Sequence, residues 1–326
     1  MTWEDVAVST SSTKQPTRQF GRALKLEVSN GKDEGIIISN LRVTFDIQKG
    51  NTKHPNKATI TVFNLTESNR YKLASGTWDY VRLSVGYGLD NIVYRLIFEG
   101  DITRANDQRN GLDIQTVLEC GDARKSYNDG FVNTTLAAGS TYDSVVDVCL
   151  ASMPNVEEGY VCLDSNKPAF LRARTLFGQT HSILDQVAAA NKATWSIQDN
   201  KLNIIPNDSV TDYDVVVLSE SSGMIGAPRG TDKGLEVTCN LNPTLAIGGL
   251  VQVNSMFTQY NGQYKIDTIR FRGDNKPKGP WRADLTVLGG QFAKKVRRLK
   301  KPRKLSKIEY DYVTEPGVDH TVGGGS

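Results

Sequence analysis

The most constraining feature of this chain is a series of short runs rich in β-branched residues, each ended by a turn signal. Asn-Gly separates two such runs at residues 30–31 and again at 110–111, and this dipeptide favours the positive φ angles of a type I′ hairpin turn. Polar and apolar residues alternate in KATITVF and in YVRLSV. The pattern predicts an antiparallel sheet with one solvated face, closing as a barrel or sandwich near residue 121 and interrupted by a short helix after Thr66.

A different pattern occupies residues 122–215. Ser140 followed by Asp143 is typical of a helix N-cap, and the next apolar residues recur at helical spacing through Cys149 and Met153. A second helix is predicted in THSILDQVAAANK, with Ile183, Leu184, Val187 and Ala188 facing inward. ATWSIQ and KLNIIP then form a hairpin that turns at Asp199-Asn200. The middle of the chain is therefore predicted to be a small α/β unit.

β character returns at about residue 216, in runs such as GLEVTCN, LVQVN and QYKIDTIRFRGD. The ends of the chain have no comparable pattern and are predicted to be extended. The fold class is thus mainly β with a smaller α/β part. The predicted divisions are an N-terminal arm (1–22), a first β module (23–121), an α/β middle domain (122–215), a second β module (216–290) and a basic C-terminal arm (291–326).

The charge of the chain is unevenly distributed. The formal net charge is +3, but nine of the 39 Lys and Arg residues lie beyond residue 293, which leaves 30 basic against 32 acidic residues before it. An overall basic surface for DNA is therefore excluded. The first ten residues lack the pattern of a secretory signal, and no apolar run is long enough to span a membrane, so we expect synthesis and assembly in a cytoplasm.

No motif for catalysis or cofactor binding is present. The four cysteines match no short-spaced zinc pattern, the three histidines are isolated from one another, and GxSxG and phosphate-binding glycine loops are missing. GYGLDN at 86–91 is better explained as a turn than as part of a dinucleotide site. Five carboxylates around one hairpin are expected to be alternating acids on an exposed strand face: Asp101, Asp107, Asp113, Glu119 and Asp122. We expect no metal, no cofactor and no enzymatic activity.

Four motifs, in order, resemble the baseplate hub proteins of contractile-tailed bacteriophages and related injection systems. KATITVFNLTE resembles the strand-to-helix signature of their first β module, and SILDQVAAANKATWSIQDNKL resembles their middle-domain helix and hairpin. GMIGAP with LNPTLAIG, and GQY with the later Gly273-Asp274 and Trp281, resemble turns and strands of their last β module. The resemblance covers roughly residues 24–290.

This resemblance implies a structural protein with two tail-tube-like β modules in one chain. Three copies would form a pseudo-sixfold ring that joins a sixfold tail tube to a threefold central spike. No spike-like repeat follows residue 290, so the spike is expected to be a separate polypeptide. The implied assembly is a homotrimer, and its implied partners are a tail tube or tube-initiator protein and the spike. The implied location is the tail baseplate of the virion.

The basic run KKVRRLKKPRK at residues 294–304 has several interpretations. We favour an arm that contacts an acidic surface of a neighbouring baseplate protein. Contact with DNA or a tape-measure protein in the tube, a solvated tail, and membrane binding are alternatives; DNA contact is disfavoured, and membrane binding is the least favoured. The candidate partner-binding residues are Lys294, Lys295, Arg297, Arg298, Lys300, Lys301, Arg303 and Lys304.

Three rival functions remain open at this stage. A tail-tube or tube-initiator subunit would need only one β module, whereas the sequence indicates two. A cell-wall-directed tail hydrolase would require catalytic carboxylates, for which Asp101, Glu119 and Asp122 are the candidates. A nucleic-acid-binding protein would depend on the basic run and would bind in a salt-dependent way.

Overall fold

The computed structural model describes residues 21–32, 34–88, 92–164 and 167–290, together with the backbone of Lys294–Val296 and Glu309–Val313. The first part of the described chain is almost entirely strand, with one short helix. Its elements are β1 (Arg22–Ser29), β2 (Glu34–Ile38), β3 (Val43–Gly50), β4 (Lys57–Phe63), α1 (Glu67–Ala74), β5 (Tyr80–Tyr87), β6 (Arg95–Asn110) and β7 (Asp113–Gly121).

The middle of the chain contains three helices and six short strands. Its elements are α2 (Arg124–Asp129), β8 (Phe131–Leu136), α3 (Tyr142–Ala151), β9 (Glu157–Val161), β10 (Arg174–Gln179), α4 (Thr180–Ala190), β11 (Ala193–Gln198), β12 (Lys201–Pro206) and β13 (Ser209–Thr211). β8 pairs with β10, and β12 pairs with β11 on one side and with β9, in parallel, on the other. Among the described residues no helix is long and apolar enough to cross a membrane.

The last part of the chain returns to strands. Its elements are β14 (Val216–Ser219), β15 (Met224–Thr231), β16 (Gly234–Asn240), β17 (Leu250–Asn254), β18 (Gly262–Asp274), β19 (Trp281–Leu288), β20 (Lys294–Val296) and β21 (Glu309–Val313). The short segments Glu220–Ser222 and Thr258–Tyr260 are 3₁₀ turns.

One sheet joins the first and last parts of the chain. Its main strand order is β15-β16-β19-β18-β3-β4-β7-β6-β5-β1-β2-β21, and β17 and β14 extend it from β18. The two parts meet where β18 pairs antiparallel with β3, in a register that runs from Thr268 opposite Gly50 to Asp274 opposite Thr44. We call this pair of strands the seam. The two β-rich parts of the sequence are therefore side by side in a single sheet.

The seam is closely packed and joined by charge pairs. The guanidinium of Arg270 on β18 contacts both carboxylate oxygens of Asp46 on β3, at 2.9 and 2.6 Å. Gly273 lies opposite Phe45, and a Cβ atom at Gly273 would lie 2.1 Å from the Phe45 ring. That ring also packs edge-on against Trp281, with centroids 5.8 Å apart. Glycine is therefore required at this position for the two strands to approach each other.

Two apolar cores lie under these elements. The larger core contains residues from both β-rich parts, so it continues across the seam, and Phe98 and Phe271 are among its largest fully buried side chains. The smaller core is built mainly from α3, α4, β11 and β12 of the middle unit, with Val132 of β8 and Leu176 of β10. Burial of this apolar surface is the main favourable contribution to folding.

The structure confirms the predicted fold class, mainly β with a smaller α/β part. Both residues of the turn at 199–200 have positive φ angles, as a type I′ turn requires. The prediction for Asn110-Gly111 is wrong in detail: β6 includes Asn110, the two residues between β6 and β7 are Gly111 and Leu112, and of these Gly111 alone has a positive φ, of 62°. The Ser140 cap is wrong: α3 begins at Tyr142 with Thr141 as its N-cap, and no side-chain cap hydrogen bond forms there. The domain boundaries at residues 121 and 215 stay predictions, and the N-terminal arm lies outside the described residues except for its last two positions.

Candidate functional site

A network of hydrogen bonds and one ion pair holds the middle unit against the sheet. Its centre is the two-residue turn between β11 and β12, where Asp199 and Asn200 have φ angles of 50° and 58°. The Nζ of Lys49 on β3 contacts both carboxylate oxygens of Asp199 at 2.6 Å, and the backbone N–H of Glu99 on β6 donates to Asp199 at 3.2 Å. The N–H of Ala123 donates to the Asn200 side chain at 3.0 Å. The tip of the hairpin is thus bound by two strands of the first β-rich part and by Ala123, which follows β7.

Asn56 and Gln198 complete this cluster. The Nδ2 of Asn56 donates to Asp122 at 2.7 Å, to the Gln198 side chain at 2.9 Å and to the carbonyl of Ile197 at 3.1 Å. The Nε2 of Gln198 donates to the carbonyl of Gly50 at 2.8 Å. We call the set Lys49, Asn56, Asp122, Gln198 and Asp199 the joint. Because its members come from both the sheet and the middle unit, the joint fixes the position of one relative to the other.

Asp122 is the unusual member of the joint. Its side chain is completely buried; Oδ2 accepts hydrogen bonds from Asn56 and from the backbone N–H of Asp199, and Oδ1 has no partner among the described residues. Burial, together with the nearby negative charge of Asp199, raises the pKa of Asp122 to about 8, although Lys49 opposes the shift. The folded protein therefore holds a proton on Asp122 at pH values where an exposed aspartate is ionised.

The candidate catalytic carboxylates do not share an accessible cleft. Glu119 is exposed, Asp101 is half-buried near the N–H of Lys125, and Asp122 is sealed inside the joint. The prediction that all five acids lie on an exposed strand face is therefore wrong for Asp122, which follows the last strand residue and points into the protein. A buried carboxylate cannot reach a cell-wall polymer, so this trio does not support the hydrolase alternative.

The two described histidines lie in different surroundings. His54 is exposed, His181 stacks on Tyr127 with centroids 4.9 Å apart, and His320 lies outside the described residues. Within the described ranges, no group of three or more His, Cys, Asp and Glu side chains is placed to hold a metal ion.

The basic run is described only at its start. Lys294 and Lys295 are in β20, which pairs in parallel with β13: Lys294 is opposite Ser209, and Lys295 is opposite Val210. The role of the run in partner binding stays a prediction. The remaining candidates lie outside the described residues: Arg297, Arg298, Lys300, Lys301, Arg303 and Lys304.

The two ends of the main sheet differ in how their edges are formed. At one end, β15 carries Pro228, an irregular register between Ile225 and Arg229, and a positive φ of 72° at Gly226. Proline and bulges blunt an edge because they remove or misalign its hydrogen-bonding groups. At the other end, β21 of the C-terminal arm pairs in parallel with β2, from Glu309 opposite Glu34 to Val313 opposite Ile38. The arm therefore covers an edge that would otherwise be open.

Deleting residues 309–326 should make the backbone amides of β2 exchange with solvent at least about tenfold faster, because their partner strand is lost. Hydrogen exchange followed by mass spectrometry would measure this. β4 is the internal control, since β3 and β7 flank it on both sides and its exchange should stay unchanged. Equal protection of β2 in the full-length and shortened chains would contradict the pairing.

Comparison with known proteins identifies the class of molecule. The family model for baseplate hub gp41 matches residues 23–278. The chain belongs to the baseplate hub gp41 family. This confirms the predicted resemblance to phage baseplate hubs, and membership in this family makes the chain a structural component of a phage tail. No curated protein sequence matches the chain.

Solved structures share the fold of this hub protein at low sequence identity. The 43 kDa tail protein of prophage MuSo2 from Shewanella oneidensis has a TM-score of 0.57 at 12% identity, with 82% of this chain and 98% of that one covered. A tail protein from Neisseria meningitidis MC58 has a TM-score of 0.58 at 12% identity, covering 84% and 98%. The E. coli c3393 protein, a type VI secretion component, has a TM-score of 0.51 at 10% identity, covering 87% and 80%.

Most residues of the joint were not found by sequence reasoning. Asp122 was noticed only as one of several acids, and Asn56 and Lys49 carried no motif. The one available signal was the Asp199-Asn200 turn, which predicted a hairpin tip but not what the tip would contact.

Proposed function

We propose that this baseplate hub belongs to a contractile tail and forms a homotrimeric, pseudo-sixfold ring that joins a sixfold tail tube to a separate threefold spike. The observation that carries the proposal is the seam, where β18 and β3 place the first and last β-rich parts of one chain side by side. Each chain then supplies two β units, and three chains supply six. Such a ring closes through repeated head-to-tail contacts between neighbouring copies.

The tail proteins with the same fold support this proposal. The E. coli type VI component is described as structurally similar to the T4 tail proteins gp27 and gp5. The partners we propose are the tail tube or a tube-initiator protein on one face and the spike on the other. The residues at 294–304 would contact a neighbouring baseplate or tape-measure protein. We propose no catalytic activity and no membrane contact, and we place the protein in the virion tail after assembly in the host cytoplasm.

The mass of the recombinant chain in solution tests the ring. Native mass spectrometry at low micromolar concentration should give a complex of three 35.9 kDa chains, and averaged electron micrographs should show rings with pseudo-sixfold symmetry. Each contact must bury on the order of 1,000 Å² for such a ring to persist. A hexamer would favour a tube subunit instead. A monomer that stays monomeric in the presence of its spike would refute the ring.

A further inference from the structure

A surface groove of the middle unit lies apart from the joint and the sheet edges. Its walls are the first turn of α3, which begins at Tyr142, and the segment that leads into β10 at Arg174. Two backbone hydrogen bonds hold this segment in place: the N–H of Phe170 donates to the carbonyl of Ser140, and the N–H of Gly139 donates to the carbonyl of Phe170, both at 2.8 Å. The groove is therefore a fixed feature of the fold.

Two aromatic rings and two cations form the floor of the groove. Tyr142 and Phe170 pack edge to face with centroids 5.1 Å apart. The guanidinium of Arg174 lies 5.0 Å from the Phe170 centroid and 5.9 Å from that of Tyr142, and the Nζ of Lys167 lies 5.2 Å from Tyr142. Cation–π contacts of this kind hold the charged groups in position without neutralising them.

The positive charge of the groove has no acidic partner within the described part of the chain. Lys167, Arg172 and Arg174 form no ion pair with any described acid, and the described residues that line the groove include no acid. Placing three like charges together without a counter-charge is unfavourable for the free protein, and an anionic partner would relieve this cost.

The rim of the groove is apolar and exposed. Leu171 is 93% exposed, and Pro168 and Ala169 beside it are also exposed. The cavity measures about 680 Å³, which is large enough for several side chains of an extended peptide. A purely electrostatic ligand would leave this apolar rim uncovered.

We propose that this groove binds an acidic, extended polypeptide segment of another tail protein, with carboxylates on Lys167, Arg172 and Arg174 and an apolar side chain over Leu171. Charge complementarity selects an anionic partner, and the apolar rim favours a peptide over a nucleic-acid backbone. Base stacking would need exposed ring faces, whereas the Tyr142 and Phe170 rings are already occupied by each other and by cations. The inference depends on the groove alone and is independent of the trimeric ring.

The test is a binding titration with the full-length chain. The probe is a short fluorescein-labelled peptide of Glu, Asp, Leu and Tyr, compared with a matched peptide in which Gln and Asn replace the acids. We expect the acidic peptide to bind, the neutral one to bind at least about tenfold more weakly, and added salt to weaken binding. A labelled oligo-dT of similar length is the third ligand, and preferential binding of oligo-dT would overturn the proposal.

Variants on the exposed rim distinguish peptide binding in the groove from attraction to the positive charge of the surface in general. Arg172→Glu should weaken binding of the acidic peptide about tenfold and Leu171→Ala about threefold, and both residues are exposed enough for the variants to fold. Arg229→Glu, on an exposed position of β15, makes the same change in net charge and should leave the affinity unchanged. Equal losses in Arg172→Glu and Arg229→Glu, or no binding of the acidic peptide at all, would overturn the proposal.

Discussion

Replacing Phe271 by alanine should lower the free energy of unfolding by about 3 to 5 kcal/mol, the usual cost of emptying a buried phenylalanine site. Phe271 is 1% exposed and lies at the seam, opposite Ile47 on β3 and Ala283 on β19. The loss combines the transfer free energy of the ring with the cavity it leaves. Because the large core continues across the seam, we expect both β-rich parts to be destabilised together.

Chemical denaturation of the purified chain would measure this effect. Phe257→Ala is the matched control, because Phe257 is 47% exposed in the connection between β17 and β18 and its removal should cost less than about 1 kcal/mol. A similar small cost at Phe271 would show that the packing at the seam contributes little to the stability of the sheet.

Replacing Asp122 by asparagine should change how stability depends on pH. The pKa of Asp122 in the folded protein is raised to about 8, whereas an aspartate in an unfolded chain titrates near 4. Between these values the folded state holds a proton that the unfolded state has lost. The free energy of unfolding of the natural protein therefore falls as pH rises, with about 1.4 kcal/mol per pH unit due to this group. The part of the free energy of unfolding that comes from the proton on Asp122 is fully present below about pH 4 and is lost above about pH 8.

Asparagine cannot ionise and has nearly the same shape as the protonated acid, so the variant should lack this part of the pH dependence. We expect Asp122→Asn to resemble the natural protein near pH 4 and to exceed it in stability by several kcal/mol, roughly 5, at pH 8. Measuring the difference between the two proteins cancels the titration of groups that do not interact with Asp122.

Unfolding curves collected from pH 4 to pH 9 would test this prediction. Asp232→Asn provides the control for the loss of one carboxylate, since Asp232 is exposed in the turn between β15 and β16 and lies outside the joint. A constant difference between Asp122→Asn and the natural protein across this range would mean that Asp122 is ionised in the folded state.

Local features of the fold were predictable because their causes lie within a few residues of one another. The turn between β6 and β7 depends on the φ of 62° that Gly111 accepts without strain, and the buried face of α4 follows from the spacing of Ile183, Leu184 and Val187. The family resemblance likewise depended on short turn and strand motifs in a fixed order.

The features that organise the molecule depend on distant parts of the chain. Alternation along β3 and β18 predicts that each is a strand, but it carries no information that these two edges pair with each other. Asn56 contacts Asp122 and Gln198 only because three separate segments converge on the joint. The groove escaped prediction for the same reason, since it forms where the start of α3 meets the residues before β10.

The seam also affects how the protein is made. Gly50 on β3 pairs with Thr268 on β18, so β3 leaves the ribosome roughly 200 residues before its partner exists. At synthesis rates of about 5 to 20 residues per second, one edge of the nascent sheet waits on the order of 10 to 40 s for its neighbour. During that interval the strand can pair wrongly with other chains, and a prematurely terminated product never completes its sheet. The sheet is therefore complete only after β18 has been synthesised and has paired with β3.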